Sequence, residues 1–151
     1  MPSLVEVGAQ LGASDKLIAL IIDAVNHGID MVQDGKKLIP FMMTQSAVTV
    51  LATDTMEEAF AVVHDIMRSG EVEFCVLGYD TYLTVEGEKT DAIVVEGYER
   101  GREKGLRFAQ RYRPAIKAGL LRKGAPVERL GNLKFLAGDV EYRAARETNG
   151  I

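Results

Sequence analysis

Three segments rich in β-branched and aromatic residues follow one another between residues 72 and 112, and they constrain the fold more than any other feature. Residues 72–85, 92–98 and 106–112 each predict a β-strand. A tight segment at residues 86–90 and a charged loop at residues 99–105 join them. Strands joined by such short connections pair as antiparallel neighbours, so the sequence predicts a three-stranded meander.

Two amphipathic helices are predicted before the meander. Ser14 is a suitable N-cap, and apolar residues then recur every three or four positions up to Val32, which predicts a helix over residues 15–33. A second helix is expected to begin at Asp54 or Thr55 and to end at Gly70. Further strands are expected at 37–44, 47–53 and 133–137, with a short terminal helix at 139–147. The predicted class is α+β, a mainly antiparallel sheet with two helices packed against it.

The length and the cysteine count indicate one domain in a reducing compartment. A chain of 151 residues suits a single core, so we expect one domain over 1–151, its core at about 15–137 and its segments 1–12 and 140–151 peripheral. Cys75 is the only cysteine and cannot form an internal disulfide. The absence of Lys and Arg before Lys16, and the shortness of the apolar stretch 17–25, predict a cytoplasmic protein without a membrane partner.

Charge is sorted by position along the chain. Residues 1–98 carry 5 Lys and Arg against 16 Asp and Glu, whereas residues 99–151 carry 13 against 6. The formal total of −4 therefore hides a net charge of −11 followed by one of +7. Surfaces of opposite sign attract each other at long range, and an antiparallel meander leaves an edge strand to cover. We therefore expect a homo-oligomer in which acidic and basic parts meet across a twofold axis.

The familiar cofactor motifs are absent from the sequence. It contains no Gly-rich phosphate loop, no dinucleotide fingerprint, no C-x-x-C pair and no H-E-x-x-H. A zinc site would need both histidines, His27 and His64, together with Cys75, and nothing in the spacing brings them together. The sequence predicts no cofactor and is more typical of a binding domain than of an enzyme.

One acidic pair is the best candidate for a metal site. If the turn of the central hairpin takes about five residues, strand pairing places Asp80 opposite Glu96, where both carboxylates can ligate Mg²⁺. Asp91 differs in strand parity from Glu96 and is not expected to join this site. Asp80 and Glu96 resemble the carboxylate pattern of the PD-(D/E)XK nucleases, although Tyr98 occupies the lysine position of that family. The resemblance implies a metal-dependent hydrolase or nuclease; the alternative is that both carboxylates pair with arginines of the next strand.

That next strand, residues 106–113, alternates arginines with aromatic residues. Arg107, Arg111 and Arg113 share one parity, and Phe108 and Tyr112 lie on the other. Such a pattern can bind single-stranded nucleic acid by stacking and phosphate contacts, although the acidic pI of about 5.3 is unusual for that function.

Tyrosines of the meander are the main candidates for binding a ligand or a partner. Their rings either pack across strands with the hydroxyls at the rim or line a small pocket closed by Asp80, Glu96 or Gln110. The candidate binding residues are Tyr79, Tyr82, Tyr98, Gln110, Arg111 and Tyr112.

Short segments along the chain carry a second resemblance. Residues 38–41, 79–82, 90–96 and 108–112 resemble a class of small bacterial proteins of unknown function, and this resemblance implies a self-contained domain but no functional residues. We expect a non-catalytic binding or interaction domain that self-associates. The alternatives are the metal-dependent hydrolase using Asp80 and Glu96, and nucleic-acid binding through the strand at residues 106–113.

Overall fold

A computed structural model describes residues 4–33 and 35–141 of the chain. Its three helices are α1 (Leu4–Gln10), α2 (Asp15–Met31) and α3 (Met56–Ser69). Its strands are β1 (Phe41–Met43), β2 (Val48–Val50), β3 (Phe74–Val85), β4 (Glu88–Glu99), β5 (Gly105–Arg113) and β6 (Glu128–Val140).

The strands form one antiparallel sheet of six, in the order β2-β1-β3-β4-β5-β6. The predicted α+β class is confirmed, and β3, β4 and β5 are the predicted meander. A third helix, α1, was not predicted. The last strand is longer than the expected 133–137, so residues 139 and 140 extend β6 rather than begin a helix; residues 142–147 of that predicted helix lie outside the described residues.

Side chains of alternate parity face two different helices. The α2 face of the sheet carries Val76, Ile93 and Phe108, which pack with Leu17 and Ile21 of α2 in one buried cluster. The opposite α3 face packs against the second helix, in a second cluster to which the strands contribute Cys75, Leu77 and Tyr98 and the helix contributes Phe60 and Val63. The sheet therefore lies between α2 and α3, and the buried side chains of its strands are divided between the two clusters.

Helix boundaries follow the capping residues read from the sequence. The Ser14 hydroxyl accepts a hydrogen bond from the Leu17 amide at 3.1 Å, and the Thr55 hydroxyl accepts one from the Glu58 amide at 3.2 Å. Gly70 ends α3 in the left-handed conformation at φ 76°. Gly28 does not interrupt α2; it lies inside the helix, where a Cβ atom would come within 2.7 Å of Ile93.

A two-residue turn sets the register of the central hairpin. Glu86 and Gly87 connect β3 to β4 with φ angles of 52° and 81°, the positive values that a tight hairpin turn requires. As a result Asp80 pairs with Ile93, and Leu77 pairs with Glu96. The expected pairing of Asp80 with Glu96 is wrong, because the turn is shorter than five residues and the odd shift in register turns the two carboxylates to opposite faces.

Residues 114–127, between β5 and β6, form a small projecting hairpin that we call the arm. Ile116 and Ala125 exchange two backbone hydrogen bonds of 2.8 Å, and the Gly119 amide donates to the Arg122 carbonyl at 3.1 Å. Leu120 and Leu121 form its tip. Within the described ranges, no helix has the length and apolarity needed to cross a lipid bilayer.

Candidate ligand-binding cavity

A cavity of about 520 Å³ opens where α2 ends above β3, β4 and β5. Its size lies in the usual range for small-molecule sites. The ionisable and aromatic side chains that line it are Lys36, Lys37, Asp80, Tyr82, Asp91 and Tyr112.

Strand pairing aligns the groups on the floor of the cavity. Asp91 of β4 lies directly between Tyr82 of β3 and Tyr112 of β5. Asp80 precedes Tyr82 by two residues, so its side chain leaves the sheet on the same face. The α2 face therefore presents two carboxylates and two tyrosines at this end of the sheet.

Asp80 is held in place by one neighbour. Its two carboxylate oxygens both accept from the Tyr112 hydroxyl, at 3.0 and 2.9 Å. Burial raises the pKa of Asp80, and the negative charge of Asp91 acts in the same direction, whereas the Tyr112 hydrogen bond and the Lys37 charge oppose the rise. Burial also raises the pKa of Tyr112, together with its hydrogen bond to Asp80, so its hydroxyl remains a donor at neutral pH.

The other charged groups of the cavity are Asp91, Lys36 and Lys37. Among the residues that the structure describes, Asp91, Lys36 and Lys37 form no hydrogen bond or ion pair through their side chains. Both lysines lie in the loop after α2, whereas both carboxylates lie on the sheet. The cavity thus carries two acidic and two basic side chains, with the acidic and the basic groups on different walls.

Tyr82 stands at the mouth of the cavity and is 62% exposed. The Lys89 ammonium lies over its ring, 4.4 Å from the centroid. A tyrosine face attracts cations through its quadrupole, and on this ring the Lys89 ammonium of the same chain occupies that position.

Glu96 lies on the opposite face, in a buried polar network. It is 1% exposed, and it accepts hydrogen bonds from Tyr98 at 2.6 Å, from Tyr79 at 3.0 Å and from Arg107 Nε at 2.9 Å. His64 Nε2 lies 3.0 Å from the Tyr98 oxygen, and because Tyr98 donates to Glu96, His64 is the donor of that pair. The expected pairing of Glu96 with an arginine of the next strand is confirmed.

The two carboxylates proposed to share Mg²⁺ are therefore separated by the sheet. Asp80 faces the cavity beneath α2, whereas Glu96 is enclosed by donors on the α3 face. A single ion cannot contact both, since its ligands must lie within about 2.5 Å of it. Between residues 4 and 141, Asp34 excepted, no three His, Cys, Asp or Glu side chains gather as a metal site would require.

The remaining predicted residues are divided between several places. Gln110 is buried and donates from its side-chain amide to the carbonyls of Arg111 and Gly131, both at 3.0 Å. Arg111 is half-buried on the α3 face. Phe108 and Tyr112 are buried beneath α2, so the aromatic side chains of β5 are not open to stack with bases.

Sequence reasoning missed Asp91, Lys36 and Lys37 as members of the cavity. Asp91 does differ in parity from Glu96, and its neighbours across the strands are Tyr82 and Tyr112. The signal that points to it is Gly87, since glycine is favoured at the second position of a two-residue hairpin turn, and a turn at Glu86-Gly87 gives the register that places Asp91 beside Tyr82.

Neither a protein-family model, nor a curated protein, nor a solved structure matches this chain.

Proposed function

We propose that this protein is a non-catalytic binding domain that self-associates, and that its cavity takes a small zwitterion with an ammonium group at one end and a carboxylate at the other. The observation that carries the ligand proposal is the separation of charge in the cavity. Asp80 and Asp91 lie on the floor, while Lys36 and Lys37 lie on the loop above them.

Each wall is suited to one end of such a ligand. Two carboxylates close to each other repel, and an ammonium group placed between them relieves that repulsion. Lys36 and Lys37 offer donors to the carboxylate of the ligand. The rings of Tyr82 and Tyr112 offer apolar contact to the carbon chain of the ligand. The Tyr112 hydroxyl is held by its hydrogen bond to Asp80.

Calorimetric titration with three matched probes tests the proposal. The probes are γ-aminobutyrate, butylamine and butyrate, which share a four-carbon chain and differ only in their charged ends. We expect γ-aminobutyrate to bind most tightly, since it alone meets both walls. Each charge-assisted contact contributes about 1.5 to 3 kcal/mol, so each single-charge probe should bind at least about 10-fold more weakly.

Two variants assign the ends of the ligand. Asp91→Asn should weaken binding of γ-aminobutyrate and butylamine but not that of butyrate. Lys37→Gln should weaken binding of γ-aminobutyrate and butyrate but not that of butylamine. Glu88→Gln is the matched control, because Glu88 lies on the same strand but outside the cavity. Equal affinity for all three probes, or equal effects of Asp91→Asn and Glu88→Gln, would contradict the proposal.

Self-association is supported by a separate observation, the tip of the arm. Leu120 is 99% exposed and Leu121 is 95% exposed. Two adjacent leucines at the tip of a projecting hairpin are typical of a surface that a partner covers. Gel filtration with light scattering at two salt concentrations tests this proposal; we expect a dimer at low salt, and a monomer at both would refute it.

We further propose a cytoplasmic location. Cys75 is the only cysteine and lies fully buried as a free thiol, which is compatible with a reducing compartment. Fractionation of cells that express the tagged protein would test it.

A further inference from the structure

The arm carries apolar and positively charged groups together. Its tip residues Leu120 and Leu121 are almost fully exposed. Lys117, Arg122 and Lys123 surround them, and residues 114–127 contain no Asp or Glu. A partner surface for this arm should therefore combine an apolar recess with negative charge.

One groove on the same protein offers an apolar recess, and the helix along one side of it is acidic. It lies between α2 and β6, has a volume of about 350 Å³, and includes Ile22, Val25 and Leu133 in its lining. The lining also contains one basic residue, Arg129, whose guanidinium donates a hydrogen bond to Asn26 Oδ1 at 2.7 Å. Ile22 is 40% exposed, so the recess is open to an apolar side chain.

Helix α2, which forms one side of this groove, is acidic on its solvent-exposed side. Asp23 adjoins Ile22, and Asp30 lies two helical turns further along the stripe of Ile22 and Asn26. Both aspartates are exposed, and neither forms an ion pair with the residues described. The outer side of α2 also carries Asp15, and Lys16 is the only basic residue of the helix.

We propose that the arm of one copy occupies the α2–β6 groove of a second copy, with Leu120 and Leu121 in the recess and Arg122 and Lys123 beside Asp23 and Asp30. The inference rests on the proposed self-association and specifies its contact. A twofold axis makes the exchange reciprocal, so each copy supplies one arm and one groove. The basic arm and the acidic outer side of α2 carry opposite charges, which favours a second copy of the chain as the partner. An anionic lipid surface would be repelled by the acidic side of α2.

A charge-reversal pair tests the contact in the full chain. Variant one is Arg122→Glu with Lys123→Glu, and variant two is Asp23→Lys with Asp30→Lys. Alone, each places like charges on its arm and its groove, so each should be monomeric where the wild type is a dimer. Mixed in equal amounts, they should form a heterodimer, because each arm then meets a groove of opposite charge.

Replacement of both tip leucines by serine tests the apolar part. We expect Leu120→Ser with Leu121→Ser to raise the dimer dissociation constant about 100-fold, because the loss of two buried leucines removes most of the apolar contact. Lys134→Glu on β6 is a matched control outside the contact. Circular dichroism should show that every variant is folded, since all the substituted residues except the control are exposed.

The outcomes separate the two proposals. A wild type that is monomeric at every concentration overturns both the self-association and the arm exchange. A dimer that survives in all the arm and groove variants overturns the arm exchange alone. Arm variants that dissociate without formation of a heterodimer on mixing overturn the groove as the acceptor. If the arm instead binds vesicles containing phosphatidylserine while the dimer is unaffected by the arm variants, the partner is a lipid surface and the inference is wrong.

Discussion

At the scale of single residues, the buried Glu96 carboxylate depends most clearly on its neighbours for hydrogen bonds. It is 1% exposed yet accepts three hydrogen bonds, one of them from the Arg107 guanidinium. Removing water from a carboxylate is costly, and such a group persists only where donors replace the water. Tyr79, Tyr98 and Arg107 supply these donors. Removal of any one of the four side chains leaves a polar partner without its hydrogen bond to this network.

Truncation of Glu96 should destabilise the fold strongly. Glu96→Ala removes the acceptor that Tyr79, Tyr98 and Arg107 share. Leaving a buried donor such as the Tyr98 hydroxyl without this acceptor costs about 1 to 3 kcal/mol, whereas Arg107 is 31% exposed and can be hydrated. Urea unfolding measures the loss. The control, Glu88→Ala on the same strand, should change the free energy of unfolding by less than about 0.5 kcal/mol, because Glu88 is exposed. Similar losses for the two variants would show that the network does not stabilise the fold.

A second residue-scale prediction concerns the buried thiol of Cys75. Burial raises the pKa of this thiol from its ordinary 9.0 to about 12. The pKa is higher in the folded state, so the contribution of the thiol to stability is fully present below pH 9 and is lost as the pH rises toward 12.

Unfolding measured over that pH range checks the sign. The wild type should lose stability between pH 9 and 12, and Cys75→Ala should lose less over the same interval. Because all variants share the buried tyrosines, the difference between the two curves isolates the thiol. Parallel curves would contradict the prediction.

At the scale of elements, the sequence identified the strands and helices better than it identified their register. Repeating apolar positions and capping residues such as Ser14 and Gly70 indicate local structure directly. Register depends on the length of one turn. A turn of five residues would place Asp80 opposite Glu96, whereas the actual turn of two residues, Glu86-Gly87, places them on opposite faces. Of the candidate residues, Asp80, Tyr82 and Tyr112 do line one cavity. The lysines that complete it come from a distant loop, which no local pattern links to the sheet.

The pairing of β1 with β3 depends on a close approach that also escapes sequence patterns. Phe41 pairs with Gly78, and a Cβ atom on Gly78 would collide with the Phe41 ring. Gly78→Ala should therefore destabilise the protein by about 1 to 3 kcal/mol, since the ring is buried and cannot move aside.

Thermal or urea unfolding of Gly78→Ala measures this effect. Gly119→Ala is the matched control, because a Cβ atom there would lie 3.8 Å from the Arg122 side chain and meet no other close contact. It should change the free energy of unfolding by less than about 0.5 kcal/mol. An unchanged stability of Gly78→Ala would show that Phe41 does not pack over the strand as described.

At the scale of the whole molecule, the charge split is only partly neutralised inside the fold. One ion pair, Arg107 with Glu96, joins the acidic first part to the basic last part. Arg113 and Lys104 pair within the basic part. The expectation that Asp80 also meets an arginine is wrong, since its partner is the Tyr112 hydroxyl. Most charged side chains lie on the surface. There the arm is basic, whereas the outer side of α2 is acidic.

The most direct test of the central claim, that the cavity is the binding site of this protein, is a nuclear magnetic resonance titration of the labelled wild type with γ-aminobutyrate. The claim predicts that amide signals of Lys37, Thr81, Tyr82, Asp91 and Tyr112 shift in a saturable way, while those of α3 on the other face stay in place. Butylamine and butyrate should produce weaker shifts at the same residues. Saturable shifts centred elsewhere, or no shift at millimolar γ-aminobutyrate, would contradict the account.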